Sequence, residues 1–144
     1  MVATTEELLA RPLDVFSPNA MGGAITLEVA RSLDTAIVCG GANNQLADPE
    51  AGQILADRGV LYAPDFCVNA GGVIQVADEL HGFSLERATA KADAIFTTTA
   101  QVLALAQAEG TTPVAAAEQL ACRRIAEVGR AARLWAPSGL TRPR

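Results

Sequence analysis

The chain has 144 residues, half of them hydrophobic and 19% charged, which is enough for about one domain and too apolar for a disordered segment. Its formal charge of -5 excludes a phosphate-backbone binder, which needs clustered Lys and Arg to displace counterions, so no nucleic-acid partner is expected. No run approaches the roughly 18 apolar residues that cross a bilayer. Glu6 and Glu7 stand where a leader would carry an apolar stretch, so a soluble, cytoplasmic protein without membrane partners is expected.

In chain order, Thr4 followed by Glu6 and Glu7 predicts a short helix over 4–10, because carboxylates favour the positive end of the helix dipole. Leu13 to Phe16 is a brief apolar run halted by Ser17-Pro18-Asn19, the pattern of a buried strand. After Gly22-Gly23, Ile25, Val29 and Leu33 recur at four-residue steps and predict a helix over 24–33. Thr35 to Cys39 lacks polar alternation, as a parallel strand covered on both faces requires. Asp48 followed by Pro49 opens a further helix that Gly59 closes, with Asp48 as N-cap and Pro49 at the first helical position. Val60 to Tyr62 is a third strand, stopped at Pro64.

Beyond Asp65 the pattern predicts helices alone, over 68–80, about 85–108 and 113–135. Ala88, Ala92, Ile95, Thr99, Val102 and Ala106 trace a buried stripe on the second of these. Ala117, Leu120, Ile125, Val128, Ala132 and Trp135 do so on the third, and 137–144 is expected to fray. Aromatics make up only 4% of the chain, which suits close helix–sheet packing, and the repeated strand–loop–helix unit gives an α/β class with a parallel sheet. Three short strands are fewer than the about five or six of an average sheet.

The reactive residues limit the chemistry. Lys91 and His81 are the single lysine and histidine, and they are read as a solvated helix face and a helix end beside Gly82. No Gly-x-Ser-x-Gly elbow exists. Cys39, Cys67 and Cys122 are an odd number without metal-like spacing, so buried free thiols and no metal are expected. In open parallel sheets a ligand sits beyond the carboxyl ends of the strands, here the loops 17–23, 40–46 and 63–72. The second presents Asn43, Asn44 and Gln45 beside a Gly-rich backbone. These carboxamides suit the amide of a nicotinamide ring, or Asn simply caps the next helix. In the third, Asn69-Ala70-Gly71-Gly72-Val73 opens a helix whose free amides attract a carboxylate or carbonyl, or its glycines merely permit close packing. Asp65 after Pro64 is read as a functional or a turn residue, with the turn reading preferred.

Ser17-Pro18-Asn19-Ala20-Met21-Gly22-Gly23, Gly40-Gly41-Ala42-Asn43-Asn44-Gln45-Leu46, Tyr62-Ala63-Pro64-Asp65 and the run from Asn69 to Leu80 resemble the Glu/Leu/Phe/Val dehydrogenase family, nearest its bacterial leucine and valine branch. The resemblance runs from about Val2 to Trp135. It implies a partial Rossmann-like sheet followed by C-terminal helices, with 1–67 as the second half of an NAD-binding domain and 68–136 as its closing helical segment. It also implies NAD-dependent oxidative deamination of a branched-chain L-amino acid to a 2-oxo acid and ammonia, in an oligomeric parent enzyme. Ala20 and Met21 would line the dinucleotide crevice, with Gly41 and Ala42 beside it; Asn43 would contact the nicotinamide ribose or ring, and Asn69 would sit where cofactor and substrate meet. Val73 and Val76 would shape the substrate pocket, giving a γ-carboxylate no partner.

The family's paired lysines, its catalytic aspartate and its Gly-x-Gly-x-x-Gly loop have no counterpart in this sequence, and Lys91 does not match the lysine positions. No catalytic residue is therefore assigned. The chain reads as the C-terminal portion of such an enzyme, separated by a split gene, a frameshift or a mistaken start, with weak NAD affinity and no turnover alone. Its partner would then be the missing N-terminal part or a full-length homologue. A non-catalytic remnant that acts as an assembly partner is the alternative, and a free-standing ligand-binding module would need a complete crevice.

Overall fold

A computed structural model describes residues 4–134, with side chains as far as Arg130. The expected burial of Ala132 falls beyond the described side chains, and Trp135 and the 137–144 tail lie outside the described residues. Helix α1 (Thr5–Leu9) begins with a reciprocal cap: the Glu7 amide donates to the Thr4 hydroxyl at 3.2 Å, and the Thr4 amide donates to the Glu7 carboxylate at 3.0 Å. Strands β1 (Leu13–Phe16), β2 (Thr35–Val38) and β3 (Leu61–Tyr62) then form a parallel sheet in the order β1-β2-β3. Helices α2 (Leu27–Ser32) and α3 (Pro49–Asp57) form the crossovers. Helix α2 starts three residues later than the periodicity predicts. Ile25 is held in a parallel bridge with Leu46, and the Thr26 hydroxyl caps the helix by accepting from the Val29 amide.

Register explains where the core lies. Phe16, Val38 and Tyr62 align across the three strands and are buried with Ile25, Ala30, Leu33, Ala51 and Leu55. The adjacent row, Val15, Ile37 and Leu61, is 50%, 36% and 40% exposed. The strands are apolar on both faces, as a parallel sheet demands, but helices α2 and α3 shelter only one of them. The expected double cover is thus half realised within the described residues.

The helix expected over 68–80 is two, α4 (Asp65–Val68) and α5 (Gly71–Glu79), broken at Asn69-Ala70. Helix α6 (Leu85–Glu109) ends at Gly110 in the left-handed region (φ 62°), and α7 (Pro113–Leu134) follows. The α6 stripe is as the sequence predicts: Val102 and Ala106 are buried against Ala116 and Ala117 of α7. The α7 stripe holds only in its first part, where Ala117 is buried and Leu120 packs against the same cluster. From Ala121 to Arg130 every side chain is exposed, with Ile125 at 72% and Val128 at 62%, and Ala121, Arg123, Arg124 and Glu127 border an open cavity rather than a packed face. The thiols also differ from expectation, since Cys39 and Cys67 are only half-buried and Cys122 is exposed. Among the described residues no helix is long and apolar enough to cross a membrane.

Candidate functional site

The loops that follow the three strands meet at the carboxyl end of the sheet. The loop after β1 is stitched to the loop after β2 by the Ala42 amide donating to the Pro18 carbonyl at 3.0 Å and the Gly41 amide donating to Asn19 Oδ1 at 2.7 Å. Asn19 is itself fixed, because its amide donates to the Ser17 carbonyl and hydroxyl, each at 2.9 Å. The Gly23 amide donates to the Asn44 carbonyl at 2.7 Å. So close an approach requires glycine. A Cβ on Gly40 would overlap the Pro18 carbonyl oxygen and one on Gly22 would lie 2.8 Å from the Asn43 carbonyl oxygen. Asn44 takes the left-handed conformation (φ 52°) that closes the second loop.

The third loop joins through carboxamides. Asn69 Nδ2 donates to Asn43 Oδ1 at 2.6 Å and to the Ala42 carbonyl at 3.3 Å. Both Asn69 amide hydrogens and the Asn43 oxygen are thereby used, which leaves Asn43 Nδ2 as a donor and Asn69 Oδ1 as an acceptor. A neighbouring donor and acceptor match a primary carboxamide or another group carrying both functions.

The structure therefore brings Gly41, Ala42, Asn43 and Asn69 together. Ala20 and Met21 follow Asn19 on the first loop and are exposed, Met21 at 80%. Val73 and Val76 stand one turn apart on α5, 67% and 62% exposed. Asp48, rather than an asparagine, caps α3 by accepting from the Glu50 amide at 2.8 Å, so the Asn-cap alternative for the second loop does not hold.

Two residues differ from their sequence reading. Gln45 is not presented to solvent but fully buried. Asp65 is no turn residue. It begins α4, is buried, and accepts from the Gln45 amide and the Tyr62 hydroxyl, both at 3.3 Å. Burial, and then the Asp65 carboxylate, push the Tyr62 phenol well above its ordinary range. Asp78 on α5 is buried and ties this helix to α6: it accepts from Arg87 Nε and Nη2 at 3.0 Å and from the Ser84 amide at 2.7 Å. Those bonds, Arg87 foremost, hold its carboxyl below the ordinary carboxylate range. Lys91 Nζ lies 3.7 Å from the same carboxylate and its side chain is half exposed, in keeping with a solvated helix face. Only the Gly-rich spacing hinted at the loop contacts; the partners of Asn19 and Asp78 lie 22 and 9 residues away and left no local sequence signal.

A cavity of about 580 Å³ lies between α4, α6 and α7, against Phe66, Cys67, Gln101 and Arg124, and none of the predicted site residues borders it.

Comparison with known proteins gives one answer. A sequence model of the Glutamate/Leucine/Phenylalanine/Valine dehydrogenase family matches residues 1–133. A valine dehydrogenase of Streptomyces albus is 53% identical over 127 residues, 88% of this chain and 35% of the relative. A leucine dehydrogenase of Bacillus cereus is 38% identical over 122 residues, 85% of this chain and 33% of the relative. The crystal structure of L-tryptophan dehydrogenase from Nostoc punctiforme superposes with a TM-score of 0.84 at 36% identity, over 90% of this chain and 38% of that one. The chain spans about a third of the length of the curated relatives it matches. With its parallel sheet, closing helices and Gly-rich loops accounted for by that match, the chain belongs to the glutamate/leucine/phenylalanine/valine dehydrogenase family.

Proposed function

We propose that this chain is the C-terminal cofactor-domain part of an NAD-dependent branched-chain amino-acid dehydrogenase, an oxidoreductase that deaminates L-valine or L-leucine to the 2-oxo acid and ammonia. The observation that carries this reading is the Asn43–Asn69 pair resting on the Ala42 carbonyl. Its free donor and acceptor are complementary to the carboxamide of nicotinamide, and a flat ring can approach the exposed backbone of Gly41 beside the buried Ala42. Ala20 and Met21 form the neighbouring lip. The chemistry NAD supplies when bound is acceptance of the hydride from the amino-acid α-carbon. Val73 and Val76 offer an aliphatic side chain apolar contact and offer a γ-carboxylate no partner.

What these residues do is bind and orient. General acid–base work on an amine needs a group of tuned proton affinity within hydrogen-bond reach. The single lysine is engaged with Asp78, and the exposed His81 follows α5 beside Gly82. The chain by itself should therefore bind NAD weakly and turn over no amino acid.

The exposed row Val15, Ile37 and Leu61 favours a second reading, in which the chain acts through assembly with another polypeptide. One experiment addresses both. The purified chain is assayed for cofactor reduction with L-valine or L-leucine and NAD, alone and after mixing with the separately produced portion of a valine dehydrogenase that it does not match. Turnover only in the mixture supports the enzymatic reading. Complex formation without turnover supports the assembly reading, and turnover by the chain alone contradicts the assignment of no catalytic residue.

A further inference from the structure

We propose that Gln45 is a positioning residue: by holding the Gly40 and Ala42 carbonyls from beneath, it fixes which way the Asn43 and Asn69 carboxamides face. The inference rests on the reading of these two residues as the ligand-facing pair.

Gln45 is fully buried. Its Nε2 donates to the Gly40 carbonyl at 2.6 Å and to the Ala42 carbonyl at 2.9 Å, spending both of its hydrogens. Its backbone amide donates to Asp65 Oδ2 at 3.3 Å, and its backbone carbonyl accepts from the Ile25 amide at 2.9 Å. The residue is thus held from two sides while its side chain reaches back under the loop. Its Oε1 has no partner. A buried carboxamide normally rotates to satisfy such an oxygen, and here the opposite rotation would set oxygen against two carbonyl oxygens. The two donated bonds fix the orientation.

The consequence reaches the site through one atom. The Ala42 carbonyl has two lone pairs; Gln45 Nε2 takes one at 2.9 Å and Asn69 Nδ2 takes the other at 3.3 Å. With this carbonyl held in place, Asn69 must turn its nitrogen toward the loop, where it also meets Asn43 Oδ1 at 2.6 Å. The outward pattern of one donor from Asn43 and one acceptor from Asn69 follows. Without Gln45, the Gly40 and Ala42 carbonyls are released and either Asn69 amide orientation becomes open to it.

The test is nuclear magnetic resonance of side-chain amides in the isotope-labelled chain. In the wild type, the Gln45 side-chain amide should exchange with solvent at least about tenfold more slowly than that of exposed Asn44, as expected of a buried bonded group. Equal exchange would overturn the proposal without any variant. In Gln45→Glu, a carboxylate faces two carbonyls at neutral pH and the Asn69 side-chain amide signals move. As pH falls and the carboxyl protonates, it regains one donor and those signals return toward their wild-type positions. Gln45→Met, similar in volume but without a donor, displaces the same signals at every pH. If both variants fold and keep the wild-type Asn69 signals, Gln45 only fills space and the proposal fails. Titration of the wild type with NAD in large excess, enough to saturate a weak site, separates this from the functional reading: Asn43 and Asn69 signals that stay unmoved at that excess refute the cofactor assignment, while the Gln45 exchange and pH readouts stand on their own.

Discussion

Replacing Gly40 with alanine tests the meeting of the loops most sharply. A Cβ there would overlap the Pro18 carbonyl oxygen and lie 2.6 Å from the Pro18 nitrogen and 2.7 Å from its Cδ. All three atoms belong to backbone or a closed ring, so none can swing aside, and the first loop must retreat by about 1 Å to reach ordinary contact. Such overpacking costs about 1–3 kcal/mol. The retreat also stretches the Ala42 amide bond to the Pro18 carbonyl and the Gly41 amide bond to Asn19, now 3.0 and 2.7 Å, at about 1 kcal/mol for each bond lost. A loss near 3 kcal/mol is expected, which is large against the roughly 5–15 kcal/mol of a typical domain. Urea unfolding followed by circular dichroism should show a lower midpoint at unchanged slope, and the Gly41 and Ala42 amides should lose exchange protection. Stability within about 0.5 kcal/mol of wild type, with both amides still protected, would refute the close approach.

Other substitutions give contrasting outcomes. A Cβ on Gly71, at the start of α5, meets nothing within 4 Å, so Gly71→Ala should stabilise the chain by about 0.5–1 kcal/mol in the same unfolding assay. Leu55, fully buried, should cost about 2–5 kcal/mol as Leu55→Ala. Ile37→Thr, at a position 36% exposed, should cost far less in the isolated chain, while weakening any complex with the unmatched part of a relative. Asp78 has its carboxyl held low by Arg87, so its stabilising contribution is complete above about pH 4 and is lost as pH falls through the lowered value. Unfolding midpoints measured down the acid range should therefore fall less steeply for Asp78→Asn than for the wild type.

The sequence carried the elements whose signals are local. Strand β1 falls where the apolar run and Ser17-Pro18 place it, and Asp48 caps α3 as its Pro49 neighbour foretells. The Asn43–Asn69 pair was legible as two separate Asn-rich loops, but the bond between them spans 26 residues and is visible only once the strands align. Gln45 was misread because polarity in a loop suggests exposure, whereas two carbonyls in its own loop give its amide a buried use. The α7 stripe holds at Ala117 and Leu120 but not at Ile125 and Val128, for the opposite reason: periodicity reports an apolar face, not the presence of something to cover it. The same holds for Val15, Ile37 and Leu61, whose apolar character on the uncovered side of the sheet fits the account of a chain that completes its fold and its chemistry with another polypeptide.

That account is tested most directly by following the absorbance of reduced cofactor when the purified chain meets L-valine and NAD, before and after addition of the valine dehydrogenase portion it does not match. The account predicts no reduction by the chain alone and turnover once the two are combined. Sustained turnover by the chain alone, or an inactive mixture in which the two polypeptides form a stable complex, would contradict it.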